Sequence, residues 1–258
     1  MALVKRSPRF KPLLILQLRP EDETADNELE AIRKYGQLHP RETVRRRVER
    51  DGLDDIDLDR YAAIIVGGSP FDVGLPEQRK SRVQRAVEQG FFRLFHDIVE
   101  RDYPFLGCCS GNGLLGRYCG ASISTRYGEA VGGTTVSLTG EGQRDPLLQG
   151  LPRQFRVLVG HKEACDEVPP GCTLLATGDA CPVQMFRLQA NIYATQFHPE
   201  GDAAGFTVRI NAYRNHGYFP PDQAAALINS LAGESTPEAQ QILRRFVARF
   251  RDDREFSH

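Results

Sequence analysis

The stretch Tyr103–Gly116, YPFLGCCSGNGLLG, runs from a short apolar segment through two adjacent cysteines into a glycine-rich start of a helix. A strand that becomes a helix within so few residues forms a nucleophile elbow, whose apex residue is held in a strained backbone conformation. Residues two positions before and after the apex crowd each other unless they are glycine. Gly107 and Gly111 are symmetric about Cys109 and not about Cys108. Cys109 is therefore the expected apex, and Cys108 the last, inward-facing residue of the strand. A helix beginning near Ser110 aims its unpaired N–H groups at the Cys109 sulfur, a field expected to favour thiolate over thiol.

On either side of the elbow, short apolar runs recur: PLLILQL (12–18), YAAIIV (61–66), FRVLVG (155–160) and NIYATQF (191–197). Segments between them, such as 78–100, carry helical periodicity, so the order is strand then helix. That order predicts an α/β fold with a mostly parallel central sheet flanked by helices. From about 122 to 190 the chain is richer in Gly, Thr and Val with turn signals, which predicts antiparallel strands added to the sheet. FPPDQAAALINSL and TPEAQQILRRFVARF, across 220–250, predict a helical tail of two helices, with Thr236 as a cap and Pro237 in the first turn. Neither a repeat nor a long linker divides the chain, so 1–258 is read as a single domain with a core over about 12–215.

The formal net charge of −1 gives no general electrostatic attraction to nucleic acid or to acidic lipid. Arg45, Arg46 and Arg47 read as a solvated helix face. Six cysteines without a CxxC pair, in a chain too long to need bridges, fit a reduced cytoplasmic protein. Cys119, Cys165, Cys172 and Cys181 read as small, largely buried residues. The start MALVKRSPRFKPLLILQLRP has a basic flank, but its apolar run LLILQL is too short for a signal or membrane segment and is interrupted by Gln17. It reads as a first buried strand.

Far downstream, YATQFHPEGD places Glu200 two residues after His198. In an extended segment both face one side, so the carboxylate can hold one ring nitrogen while the other faces a thiol. A thiol, an imidazole and an orienting carboxylate are the parts that covalent catalysis at a carbonyl requires. A tetrahedral intermediate also needs backbone donors for its oxyanion. IIVGGSPFDV offers Gly67 and Gly68 directly after a strand, and the Ser110 N–H at the helix start offers a second donor.

IIVGGSPFDV, LGCCSGNGLLG, VLVGHKEACDEVPPGCTLLATGDACPVQMF and YATQFHPE, in this order, resemble the motifs of class I glutamine amidotransferases, the glutaminase domain of GMP synthase in particular. The resemblance spans roughly residues 12–215 and implies a flavodoxin-like glutaminase fold. It implies Cys109 as nucleophile, His198 as base, Glu200 as its orienter, and the Gly68 and Ser110 amides as oxyanion hole. It also implies hydrolysis of the glutamine side-chain amide through a γ-glutamyl thioester, with no metal or organic cofactor. Gly67, Gly113 and His161 would lie against the substrate. Two departures stand out: members commonly carry Gln where this chain has Gly113, and the chain ends at His258, leaving no room for the ATP-using domain of GMP synthase. The expected partner is therefore a separate synthetase that takes the ammonia. A stand-alone peptidase acting on γ-glutamyl compounds, or a catalytically silent binding protein, are the alternative readings.

Overall fold

The structure is a computed structural model that describes residues 10–215 and 219–252. The basic residues of the N-terminal flank, within 1–9, lie outside the described residues. The strands are β1 (Leu13–Gln17), β2 (Thr43–Arg47), β3 (Ile64–Val66), β4 (Phe105–Cys108), β5 (Ile123–Ser124), β6 (Glu129–Leu138), β7 (Gln154–His161), β8 (Ala164–Cys165), β9 (Cys172–Gly178), β10 (Met185–Leu188) and β11 (Ile192–Thr195). The helices are α1 (Asp22–Gly36), α2 (Val48–Asp51), α3 (Arg82–Glu100), α4 (Ser110–Tyr118), α5 (Gly140–Arg144), α6 (Ala203–Ala212), α7 (Ala224–Ser230) and α8 (Pro237–Phe250).

The main sheet has the order β2-β1-β3-β4-β11-β10-β9-β6-β7. Its first five strands are parallel, and the remaining four are joined by antiparallel pairing. β1, β3, β4 and β11 are buried along their whole length, as parallel strands covered on both faces must be. Alternate residues of β1 feed two cores. Leu13 and Ile15 pack with Leu29 and Ile32 of α1 and with Ile242 and Phe246 of α8. Leu14 and Leu16 pack with Phe91 and Phe95 of α3 and Leu114 of α4. The register then positions the chemistry: Thr195 pairs with Cys108 and Val66 with Gly107. The segments that follow β3, β4 and β11 therefore leave adjacent strands at one edge, the carboxyl ends where α/β sheets place ligands.

Three local expectations are corrected. Arg45, Arg46 and Arg47 lie on the strand β2, at the edge of the sheet, and each meets a carboxylate: Asp26 at 2.6 Å from Arg45, Asp55 beside Arg46, and Asp22 at 2.8 Å from Arg47. Thr236 precedes α8 but does not cap it; its hydroxyl donates to the Gly201 carbonyl at 3.4 Å. Pro237 does occupy the first turn. α8, the second helix of the tail, packs into the core, with Ala239, Ile242, Leu243, Phe246 and Val247 all buried. Cys165 and Cys181 are buried as expected, whereas Cys119 and Cys172 are half-exposed.

Candidate active site

Cys109 joins β4 to α4 with φ 54° and ψ −96°, a left-handed conformation that a residue with a side chain rarely adopts. The turn is tight. A Cβ on Gly107 would lie 2.7 Å from the carbonyl carbon of Gly111, a backbone atom that cannot move aside. Cys108, by contrast, is buried in the core. Asn112 and Gly113 donate their amides to the Cys109 carbonyl, which closes the first turn of α4. The Ser110 amide belongs to the orphan donors of that turn.

His198 and Glu200 sit in the turn after β11. They are not on an extended segment, because Gly201 N–H closes a turn on the His198 carbonyl at 3.0 Å. The pair still meets, with His198 Nδ1 2.7 Å from Glu200 Oε1. A carboxylate only accepts, so Nδ1 carries the proton and Nε2 keeps its lone pair. Arg209, on α6, donates to the same Oε1 at 2.9 Å, and Phe206 stands edge-on to the imidazole at 5.4 Å. Burial would raise the Glu200 carboxyl, but its contacts with the His198 imidazole and the Arg209 guanidinium outweigh it and hold the group well below the usual range. Burial lowers His198, against the pull of Glu200, so the ring is neutral near pH 7.

The thiol departs from expectation. Burial pushes Cys109 up to about 12, although Arg19 and Arg209 pull the other way. A short helix start does not overcome desolvation of the sulfur. The resting pair is thus a neutral thiol and a neutral imidazole.

Two cavities meet at Cys109. One is lined by His198, Arg19, Phe206, Arg209 and Phe219. The other is lined by Ser110, Gly113, His161, Lys162 and Glu163. Gly113 borders the second cavity, and a Cβ there would meet Val73 Cγ2 at 3.7 Å, an ordinary contact distance. His161 borders the second cavity with both ring nitrogens engaged, Nδ1 at the Glu163 carbonyl and Nε2 at the Glu129 carboxylate, each at 3.0 Å. Its side chain therefore serves as wall more than as a free contact.

The glycines after β3 also behave differently from expectation. Gly67 N–H is taken by the Leu16 carbonyl at 3.1 Å, and its Cα faces the Glu28 carboxylate, so it does not reach the cavity. Gly68 N–H donates to Glu28 Oε1 at 3.0 Å. That same carboxylate accepts from Arg19 Nε at 2.7 Å and from Gln17 Nε2 at 3.0 Å. A Cβ on Gly68 would press 2.8 Å from His198 Cε1. Glu28, Arg19 and Arg209 escaped the sequence reading. Glu28 left a trace, since it shares the apolar spacing of Ala25, Leu29 and Ile32 on α1. Glu163 stands in the same stretch as His161, but its role was not singled out. Its carboxylate accepts from the amides of Val73 and Gly74, and burial pushes it up to about 7.

The family model for glutamine amidotransferase class-I matches residues 24–211. Among curated relatives, the glutamine-hydrolyzing GMP synthase subunit of Thermococcus kodakarensis is 35% identical over 102 residues, 39% of this chain and 53% of that protein. The glutamine-hydrolyzing GMP synthase of Bacillus velezensis is 29% identical over 167 residues, 64% of this chain and 28% of that protein. The chain thus spans about half, or less, of these relatives' lengths. Among solved structures, a glutamine amidotransferase from Thermotoga maritima superposes with a TM-score of 0.72 at 20% identity, over 92% of this chain and 97% of that one. One from Methylobacillus flagellatus gives 0.66 at 14%, over 94% and 97%. At these identities the superpositions speak for the fold.

Proposed function

The chain belongs to the class-I glutamine amidotransferase family, and from that premise we propose that it hydrolyses the side-chain amide of glutamine and passes ammonia to a separate acceptor enzyme. The observation that carries the reading is the convergence of Cys109, at a strained elbow, with a neutral His198 held by Glu200 in one cavity. His198 Nε2 takes the thiol proton as sulfur attacks the amide carbon, because the thiol will not ionise unaided. Glu200 and its hydrogen bond stabilise the imidazolium that forms. The Ser110 amide meets the oxyanion, joined by Gly68 once its N–H leaves Glu28. His198 then protonates the departing ammonia, leaving a γ-glutamyl thioester on Cys109. Water, deprotonated by the same imidazole, attacks the thioester and releases glutamate and the free thiol. A working thiol needs a reducing compartment, and we place the reaction in the cytoplasm. Among the described residues no helix is long and apolar enough to cross a membrane.

A second reading rests on the cavity beside His198. The leaving amine must sit where His198 can protonate it, and that side has apolar walls from Phe206, Ile210 and Phe219 with Arg209 at its margin. Such a space suits an amine larger than ammonia, as in a γ-glutamyl conjugate. Glutamate release is measured from glutamine and from γ-glutamyl dipeptides, for the wild type, Cys109→Ser and His198→Ala. Both variants are expected to lose turnover by roughly a thousandfold or more. A glutamine-mimicking electrophile should add to the Cys109 peptide and not to Cys108. Turnover that survives Cys109→Ser overturns the proposal, and turnover of dipeptides without glutamine selects the second reading.

A further inference from the structure

We propose that Glu129, His161 and Cys181 form a zinc site that pins the antiparallel half of the sheet behind the cavity wall. Their ligand atoms all lie within 4.8 Å of one another. Glu129 opens β6 and His161 closes β7, and the two are cross-strand partners in register. Cys181 is fully buried in the loop between β9 and β10. That loop is held closed by Gly178 N–H on the Cys181 carbonyl at 2.9 Å.

The hydrogen bonds around His161 point to a cation. Its Nδ1 faces the main-chain carbonyl of Glu163, an acceptor, so Nδ1 carries the hydrogen. Nε2 then presents a lone pair to Glu129 Oε2 at 3.0 Å. Two acceptors facing each other in a buried place need a proton or a metal cation between them. A backbone carbonyl fixing the far nitrogen is also the arrangement that orients metal-binding histidines. Gln184 supplies an independent sign. It is fully buried, its Nε2 donates to the same Glu129 Oε2 at 2.6 Å, and its Oε1 has no hydrogen-bond partner. The carboxamide thus holds the cluster's carboxylate through its nitrogen and keeps a buried oxygen unpaired beside it. One nitrogen, one sulfur and one carboxylate oxygen, with a carboxamide oxygen or water as fourth donor, match the ligand preferences of zinc. On binding, the thiol proton passes to solvent and the sulfur–metal bond forms, with no change of oxidation state.

A proton on His161 would satisfy the same pair of acceptors, and the experiment separates the two accounts. The full chain carrying Cys109→Ser, which removes the elbow thiol as a competing ligand, is stripped with a chelator and titrated with cobalt(II). A thiolate-to-cobalt charge-transfer band should grow to one equivalent and vanish when zinc is added. Cys181→Ser in the same background should abolish the band, Glu129→Gln should weaken cobalt binding at least tenfold, and Cys165→Ser should leave the band intact. If Cys181→Ser does not fold by circular dichroism, His161→Gln takes its place with the same expected loss. A folded Cys109→Ser protein that gives no band at one equivalent, or a band that survives Cys181→Ser or its replacement, overturns the site and leaves a protonated His161–Glu129 pair. None of these readouts depends on glutamine turnover.

Discussion

At Cys109 the sulfur and the imidazole start uncharged, and this fixes how reactivity should vary with pH. A lone thiol pushed up to about 12 would react roughly tenfold faster per pH unit through the neutral range. If His198 takes the proton during attack, the rate instead follows the neutral imidazole, whose titration burial moves below the ordinary value of about 6.5. Labelling of Cys109 by a glutamine-mimicking electrophile should therefore be nearly flat between about pH 7 and 9 and fall on the acid side. A steady climb with pH would show that the thiol ionises alone. Acid stability tests the same trio. The folded Glu200 carboxyl is held below its unfolded value, so its contribution is fully present above about pH 4.5 and is lost as pH falls through the folded value. The lowered His198 acts in the same direction, because the unfolded chain binds the proton more readily. Urea midpoints measured down to about pH 4 should drop, and Glu200→Gln should flatten the drop while costing stability near pH 7, where it leaves the buried Arg209 without its carboxylate.

Among the elements, the β4–α4 junction has two glycines with opposite expectations, Gly107 on β4 and Gly113 on α4. Gly107→Ala at its entrance meets backbone at 2.7 Å, and should cost about 3 kcal/mol in chemical denaturation along with the elbow geometry. Gly113→Gln meets only Val73 at ordinary contact distance. It should raise helix stability by up to ~1 kcal/mol and lower KM for glutamine with kcat less changed, since it adds a ground-state contact. Glutamine turnover abolished by Gly113→Gln would mean the space is required as space. The elbow could be found in sequence because its constraint is local, two glycines flanking one residue. β2 could not. TVRRR has no apolar alternation, and only the carboxylates of Asp22, Asp26 and Asp55, brought close by folding, make an edge strand of three arginines tolerable. Glu28 was hidden for the same reason, because the amide it accepts, that of Gly68, lies 40 residues away.

For the whole molecule, β1, β3, β4 and β11 were legible as continuous apolar runs, since parallel strands covered on both faces carry little else. What could not be read was which helix covers them. α8 fills that place, and Phe246, fully buried 6.4 Å from the Tyr193 ring, should cost about 3–5 kcal/mol on substitution by Ala. A thermal melt that leaves the midpoint unmoved would show that α8 adds little to the core. The strand order also joins distant parts of the chain: Gln17, which ends β1, donates to Glu28 of α1, and that carboxylate accepts the amide of Gly68 after β3. A negative oxygen thus already rests on Gly68 before any substrate arrives. Any oxyanion that is to use that amide must evict an internal mimic of itself, and a charge-assisted hydrogen bond of about 1.5–3 kcal/mol is what it must outcompete. The idle protein is steadied by the very donor it would employ in catalysis, so whatever draws Glu28 away sets the pace.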